Sequence, residues 1–141
     1  MIIKNADIFT PDHRFVQGDV AVTGDRFSTV LEEADGDEQV VDAAGLYMIP
    51  GLVDIHFHGC KGADMCDGTQ EALDIITEYE ASVGVTSVCP ATMTIPKDEL
   101  LAVMKNAGAY SYKGGAHLVG INMEGPFIRS EETRVNSSHR D

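Results

Sequence analysis

The chain has 141 residues, 43% of them hydrophobic, and its 10 Lys and Arg against 23 Asp and Glu give a formal net charge of −13. That length is enough for one domain of ordinary size. The negative electrostatic field of such a chain repels polyanions, which argues against a general affinity for nucleic acid or for an acidic membrane surface. A small phosphorylated substrate is not excluded, because local groups decide its binding.

Targeting and cysteine signals point to the cytoplasm. No run of the chain approaches the roughly 20 apolar residues of a membrane span, and the N-terminus lacks the basic and apolar regions of a signal peptide. The three cysteines, Cys60, Cys66 and Cys89, are an odd number without a Cys-x-x-Cys pair. We therefore expect a cytoplasmic protein with reduced thiols and no membrane partner.

Residues 1–50 have the composition of short strands and tight turns. Apolar and polar residues alternate from Val16 to Val22, and turn residues follow at 23–26. The acidic stretch 32–38 is predicted to be a solvated loop, after which Val40 resumes a strand. A small sheet of this kind needs a second layer over one face, and the rest of the chain has too few strands to supply one.

From residue 51 the pattern changes to strand–helix alternation. Strands are predicted at residues 52–56, 85–89 and 115–123. They begin about 33 residues apart, which is the length of a βα unit. We predict that Thr69 caps the first helix, that Gly84 ends it, and that Pro96 lies in the first turn of the second. This alternation favours a parallel sheet with right-handed crossovers.

Each predicted helix has an apolar face at helical spacing. In the first helix this face is formed by Ala72, Ile75, Ile76, Tyr79 and Val83. In the second it is formed by Leu100, Leu101, Met104 and Ala107. We expect these faces to be buried.

A pair of histidines follows the first predicted strand, in Asp54-Ile55-His56-Phe57-His58-Gly59. Side chains two positions apart on an extended segment point the same way, and imidazole is a good ligand for zinc, iron and similar ions. A single histidine on a strand is more often a hydrogen-bonded core residue. The His-x-His spacing, with an aspartate two positions before it, favours a metal site.

Glu124 follows the third predicted strand, as Thr92 and Thr94 follow the second. The carboxyl ends of parallel strands meet at one edge, where both barrels and open sheets bind ligands. Alone, Glu124 would be interpreted as a solvated carboxylate. The Gly125-Pro126 turn after it and the buried strand before it favour a third ligand beside the two imidazoles.

The other candidate ligands are weaker. The spacing of Cys60 and Cys66 matches no common metal site, so a structural role is favoured. His13 and His139 have polar neighbours and are predicted to be exposed. His117 begins the third strand, at the end opposite the expected site.

The chain resembles the amidohydrolase superfamily in Pro50-Gly-Leu-Val-Asp-Ile-His-Phe-His-Gly59, and within it the N-acetylglucosamine-6-phosphate deacetylase family. The further segments that carry this resemblance are 59–64, 90–94 and 122–127, and the match extends from residue 1 to about 128. The tail departs from it, because the family's Lys-Lys-Gly-Ala-like substrate loop is missing there.

The resemblance implies an α/β fold: an incomplete (β/α)8 TIM-type barrel, consisting of its first three βα units, preceded by part of a small β-sandwich. Its boundaries would be 1–50 for the sandwich part, 51–128 for the barrel strands and helices, and 129–141 for a divergent polar tail. Three strands cannot close a barrel, so the sheet edges would offer unpaired backbone groups. We therefore expect a homo-oligomer.

The resemblance also implies metal-assisted hydrolysis of the acetamido group of a phosphorylated amino sugar, giving glucosamine 6-phosphate and acetate. Glu124 would bind one divalent metal, zinc, iron or similar, and His56 and His58 would bind a second where two ions are present. The family's catalytic aspartate would lie beyond the C-terminus, so the chain alone would be weakly active or inactive. Two alternatives stay open: another amidohydrolase acting on a cyclic amide, and a non-catalytic metal-binding or interaction fragment.

Overall fold

The fold is described from a computed structural model, which covers residues 1–28 and 39–126. The backbone separates into two compact units, one of residues 1–50 and one that begins at Gly51. The acidic stretch 32–38, the polar tail 129–141 and His139 lie outside the described residues.

The first unit is a mixed sheet of five strands in its described part. They are β1 (Ile2–Phe9), β2 (Phe15–Thr23), β3 (Arg26–Ser28), β4 (Val40–Asp42) and β5 (Tyr47–Met48). The order is β3-β2-β1-β4, and β5 also pairs with β1. The β1–β2 and β2–β3 pairs are antiparallel, whereas β4 and β5 run parallel to β1. The predicted strands and turns of residues 1–28 are therefore present.

One side of this sheet carries an apolar groove of about 650 Å³. It is lined by Ile8, Phe9, Pro11, Asp19, Val20, Phe27, Met48, Ile49 and Pro50. Phe27 is 74% exposed, although a phenylalanine side chain gains about 1.5–3 kcal/mol when it is fully buried. Within the described residues the unit leaves this apolar surface open, as expected for a sheet that needs a second layer.

The second unit combines a parallel sheet, a hairpin and two helices. Its strands are β6 (Leu52–Asp54), β7 (Gly59–Cys60), β8 (Ala63–Asp64), β9 (Val85–Val88) and β10 (His117–Leu118), and its helices are α1 (Gln70–Ser82) and α2 (Lys97–Gly108). The sheet order is β10-β9-β6 with parallel pairing throughout, and β7 and β8 form an antiparallel hairpin. The parallel arrangement predicted from strand–helix alternation is confirmed.

Two of the predicted strands are too long. Pairing of β6 with β9 ends at Asp54, so His56 lies beyond the strand and not on it. The third strand was predicted over nine residues, but β10 has two. Its pairing with the β9 segment is interrupted at Gly120 and resumes as a single bridge between Ala91 and Asn122. Extended backbone continues there without a regular ladder.

The first strand of this parallel sheet is largely exposed. Leu52 and Val53 are 50% and 59% exposed, although an apolar run in a parallel sheet is usually covered on both faces. The described residues place helices against only part of this sheet.

The predicted helix ends are close to the observed ones. The Thr69 hydroxyl accepts a hydrogen bond from the Ala72 amide at 3.1 Å, as an N-cap should. Gly84 has φ +91° just after α1. Pro96 is the residue before α2 and not its first helical residue. No helix in residues 1–28 and 39–126 is long and apolar enough to cross a membrane.

The predicted buried face of α1 is rotated from the observed one. The buried residues are Ala72, Leu73, Ile76, Thr77 and Glu80, whereas Tyr79 is half-buried and Val83 is exposed. The helix packs in two directions: Ile76 joins a cluster with the β7–β8 hairpin, and Leu73 joins a cluster with α2. In α2, Val103 is buried and the predicted Leu101 is exposed, because Val103 faces Leu73.

A polar network ties α1 to the segment after α2. The Tyr110 hydroxyl donates to Asp74 Oδ1 at 3.1 Å and lies 2.9 Å from the Thr77 hydroxyl. The Lys113 ammonium donates to Asp74 Oδ2 at 2.7 Å. These bonds from Lys113 and Tyr110 hold the pKa of Asp74 below its ordinary value. The network accounts for the burial of Thr77, which apolar periodicity does not anticipate.

Candidate metal centre

The structure brings His56, His58 and Glu124 together. His56 and His58 follow β6, and Glu124 follows the segment that begins with β10. The distance from His56 Nε2 to Glu124 Oε1 is 3.4 Å, and that from His58 Nε2 to the same oxygen is 3.9 Å. One ligand atom from each of the three residues lies within 4.8 Å of the others. The convergence expected from the sequence is present, across 66 to 68 positions of chain.

These distances suit a divalent ion. Two ligand atoms of a tetrahedral zinc ion, each about 2.0–2.1 Å from the metal, are separated by about 3.3–3.4 Å. The imidazole–carboxylate distances of 3.4 and 3.9 Å are at or slightly above that value. Two neutral nitrogens and one anionic oxygen form a donor set found in catalytic zinc sites, where a fourth position stays open.

The histidine rings stand edge to face around this point. Their centroids are 5.5 Å apart, and the ring planes meet at 84°. His58 Nδ1 is buried and has no hydrogen-bond partner among the described residues. The other nitrogen of His58 faces Glu124. A ring whose Nε2 is the accessible nitrogen can offer that atom to an ion.

Thr92 fixes the backbone of Glu124. Its side chain is fully buried, and its hydroxyl accepts a hydrogen bond from the Glu124 amide at 3.1 Å. Thr94 lies against Gly125, where an added Cβ would be 2.9 Å from Thr94 Cγ2. The two threonines noted after the second strand therefore support the loop that carries Glu124.

Asn122 was missed as a site residue. Its amide nitrogen lies 2.9 Å from His56 Nδ1 and donates to the Ile55 carbonyl at 3.2 Å. The signal for it is its position two residues before Glu124, because alternate residues of an extended segment share a side.

The remaining candidates lie outside this cluster. Cys60 and Cys66 are free thiols, and burial raises the pKa of each, so neither is disposed to act as a thiolate ligand. His13 is exposed, as predicted. His117 begins β10 and stacks on Tyr112 with ring centroids 4.0 Å apart.

The sequence of the chain is similar to those of known deacetylases. No family model matches the chain. It is 32% identical to N-acetylglucosamine-6-phosphate deacetylase of Vibrio furnissii over 118 aligned positions, in a match that covers 79% of the chain and 30% of the relative. It is 31% identical to the enzyme of that name from Bacillus subtilis over 136 aligned positions, in a match that covers 91% of the chain and 34% of the relative.

A solved structure agrees with these relatives. The crystal structure of N-acetylglucosamine-6-phosphate deacetylase from Pasteurella multocida superposes with a TM-score of 0.79 at 27% identity, over 92% of this chain and 35% of that one. The chain is related to the N-terminal part of N-acetylglucosamine-6-phosphate deacetylases. The resemblance expected from the sequence is confirmed.

The shared region has a defined extent. The chain spans about a third of the length of the deacetylases it matches. The match to the Bacillus subtilis enzyme covers 91% of the 141 residues, so it includes His56, His58 and Glu124. These relatives are hydrolases of carbon–nitrogen bonds.

Proposed function

We propose that this chain carries the metal-binding part of a hydrolase that removes the acetyl group from N-acetylglucosamine 6-phosphate, giving glucosamine 6-phosphate and acetate. The observation that carries the proposal is the meeting of His56, His58 and Glu124 within 4.8 Å. It occurs after parallel strands, in a chain similar to deacetylases of that name.

In this proposal His56 and His58 offer their Nε2 atoms, and Glu124 a carboxylate oxygen, to a divalent ion such as zinc or iron. The geometry supports one ion among these three groups, and a second ion would need further ligands. When bound, a divalent ion would supply Lewis acidity that polarises the carbonyl of an amide substrate.

The residues around the ligands would hold them in place. The buried Thr92 hydroxyl anchors the Glu124 amide, and the Asp54 carboxylate accepts a hydrogen bond from the His56 amide at 3.0 Å. Both hydrogen bonds come from backbone amides, so they fix the backbone positions of His56 and Glu124 and not the orientations of their side chains. We assign no proton-transfer role to a residue of this chain.

The finer architecture is part of the same proposal. Residues 1–50 would form part of a β-sandwich, and residues 51–128 the first three βα units of a (β/α)8 barrel. The open groove of the first unit and the sheet order β10-β9-β6, with edges at β10 and β6 in the described part, support it. Such edges attract further strands, so we propose that the isolated chain associates with copies of itself.

The cyclic-amide alternative is not better supported. The relatives reported above carry the name of the deacetylase. A fragment that only mediates interactions would not need two imidazoles and a carboxylate at one point, and acetate release distinguishes a non-catalytic metal-binding fragment from the proposed hydrolase.

A chimera tests the proposed activity. Residues 1–128 of this chain would replace the matching segment of the Bacillus subtilis deacetylase, and acetate release from N-acetylglucosamine 6-phosphate would be measured. We expect turnover that Glu124→Gln reduces by more than about 100-fold, because the substitution removes the anionic ligand. Glu78→Gln, at an exposed position of α1, is the matched control and should leave turnover unchanged.

Two results of this assay would contradict the proposal. One is a chimera that folds and binds metal yet releases no acetate. The other is a Glu124→Gln chimera as active as its parent.

A further inference from the structure

Asn122 contacts the histidine nitrogen that faces away from the proposed ion. Its amide nitrogen lies 2.9 Å from His56 Nδ1, whereas His56 Nε2 faces Glu124 at 3.4 Å. The His56 ring therefore lies between the Asn122 amide at one nitrogen and the Glu124 carboxylate at the other.

The position of Asn122 is fixed by its backbone. Its amide donates to the Pro90 carbonyl at 2.9 Å, and its carbonyl accepts from the Thr92 amide at 3.0 Å. Its side-chain nitrogen also donates to the Ile55 carbonyl at 3.2 Å. Because a carbonyl can only accept, this last bond orients the side chain with its nitrogen, and not its oxygen, toward His56.

This orientation selects one tautomer of His56. The amide nitrogen of asparagine only donates, so Nδ1 has to accept and the single hydrogen of the neutral ring lies on Nε2. Nε2 is the nitrogen that lies 3.4 Å from Glu124 Oε1. A nitrogen that carries a hydrogen has no lone pair for an ion, and ligating histidines usually donate from their other nitrogen to a carboxylate or carbonyl.

We infer that Asn122 is a positioning residue that sets the tautomer of His56 and thereby opposes metal binding at His56 Nε2. For an ion to bind, the Nε2 hydrogen leaves to solvent and Nδ1 takes one up from solvent. Asn122 then turns its oxygen toward Nδ1 and gives up its bond to Ile55. His58 carries no such restraint, since its Nδ1 has no partner among the described residues. The part of this inference that concerns metal rests on the proposed function.

Asn122→Asp should reverse the tautomer preference of His56. A carboxylate accepts from Nδ1–H and favours the tautomer with a free lone pair on Nε2. We expect the His56 hydrogen to move from Nε2 in the parent chain to Nδ1 in the variant. We also expect zinc affinity to rise roughly 10-fold or more, the scale on which such partners of ligating histidines act.

The tautomer is measured without metal, by NMR of the 141-residue chain with ¹⁵N-labelled histidine. Spectra are recorded at increasing pH until they stop changing, because the two nitrogens of a neutral imidazole give well-separated ¹⁵N shifts. Zinc affinity is then measured by competition with a chromophoric chelator. Met123→Asp is the matched control: it adds the same charge at a 55% exposed neighbouring position and should leave the His56 tautomer unchanged.

The outcomes separate this inference from the proposed function. A metal-free parent chain with its His56 hydrogen on Nδ1 overturns the inference, whatever the chain binds. So does an Asn122→Asp affinity gain that Met123→Asp reproduces. A parent chain that shows the Nε2 tautomer but binds no zinc supports the tautomer assignment and contradicts the proposed metal site.

Discussion

Replacing Glu124 by glutamine is expected to weaken zinc binding by more than about 100-fold. Mutation of a group that only hydrogen-bonds to a metal ligand already lowers metal affinity about 10- to 100-fold, and Glu124 is proposed to be a ligand itself. Glu124 is the one anionic group in the described cluster, and both imidazoles face its Oε1. Glutamine keeps the size of the side chain but removes the charge that offsets the ion's own. Competition with a chelator gives the affinity of the parent and the variant.

The control for this prediction is Glu78→Gln, which removes the same charge at an exposed position of α1. We expect its affinity to equal that of the parent chain. Circular dichroism of both variants would establish that neither has lost its fold. Equal zinc affinity of Glu124→Gln and the parent would mean that the carboxylate is not a ligand.

Gly59→Ala is expected to destabilise the chain by at least about 2 kcal/mol, at the upper end of the usual overpacking effect. An added Cβ would lie 2.0 Å from the Ala63 carbonyl oxygen and 2.7 Å from Asp64 Cα. Both atoms belong to the backbone of β8, so they cannot rotate away as a side chain would. Because Gly59 directly follows His58, we expect zinc affinity to fall as well.

Urea unfolding of Gly59→Ala measures this effect, with Gly108→Ala as the control. Gly108 ends α2, and an added Cβ there meets nothing within 4 Å. Alanine is favoured over glycine in a helix by about 0.5–1 kcal/mol, so this variant should be no less stable than the parent. A Gly59→Ala chain with the parent's midpoint would show that the hairpin is not packed as described.

Local sequence patterns predicted the two helices, the parallel pairing of three strands and the convergence of His56, His58 and Glu124. The capping residue Thr69 and the stop at Gly84 act within one turn of the chain, so they can be recognised without the fold. The meeting of His56 and Glu124 follows from parallel strands, because each residue comes after a strand and those strand ends share an edge.

Features that depend on packing could not be predicted in the same way. The buried face of α1 is set by two neighbours, the β7–β8 hairpin at Ile76 and α2 at Leu73. Burial of Glu80 is equally non-local, and it raises the pKa of that carboxyl, with Asp54 adding to the effect. The apolar periodicity of α1 gives no information about its contacts with the β7–β8 hairpin and with α2.

The roles of Asn122 and Thr92 also lie beyond sequence patterns. Asn122 falls within the predicted strand 115–123 and Thr92 follows the predicted strand 85–89, so the sequence places both near the site but does not identify their hydrogen-bond partners. Their function depends on single hydrogen bonds, from Asn122 to His56 and from the Glu124 amide to Thr92. Such bonds are set by register between segments about 30 to 66 residues apart.

A crystal structure of the chain grown with zinc, with anomalous data at the zinc edge, tests the metal site most directly. We predict an anomalous peak about 2.0–2.2 Å from His56 Nε2, His58 Nε2 and a Glu124 carboxylate oxygen. An anomalous peak elsewhere, with His56, His58 and Glu124 beyond bonding distance of it, would contradict the proposed metal site.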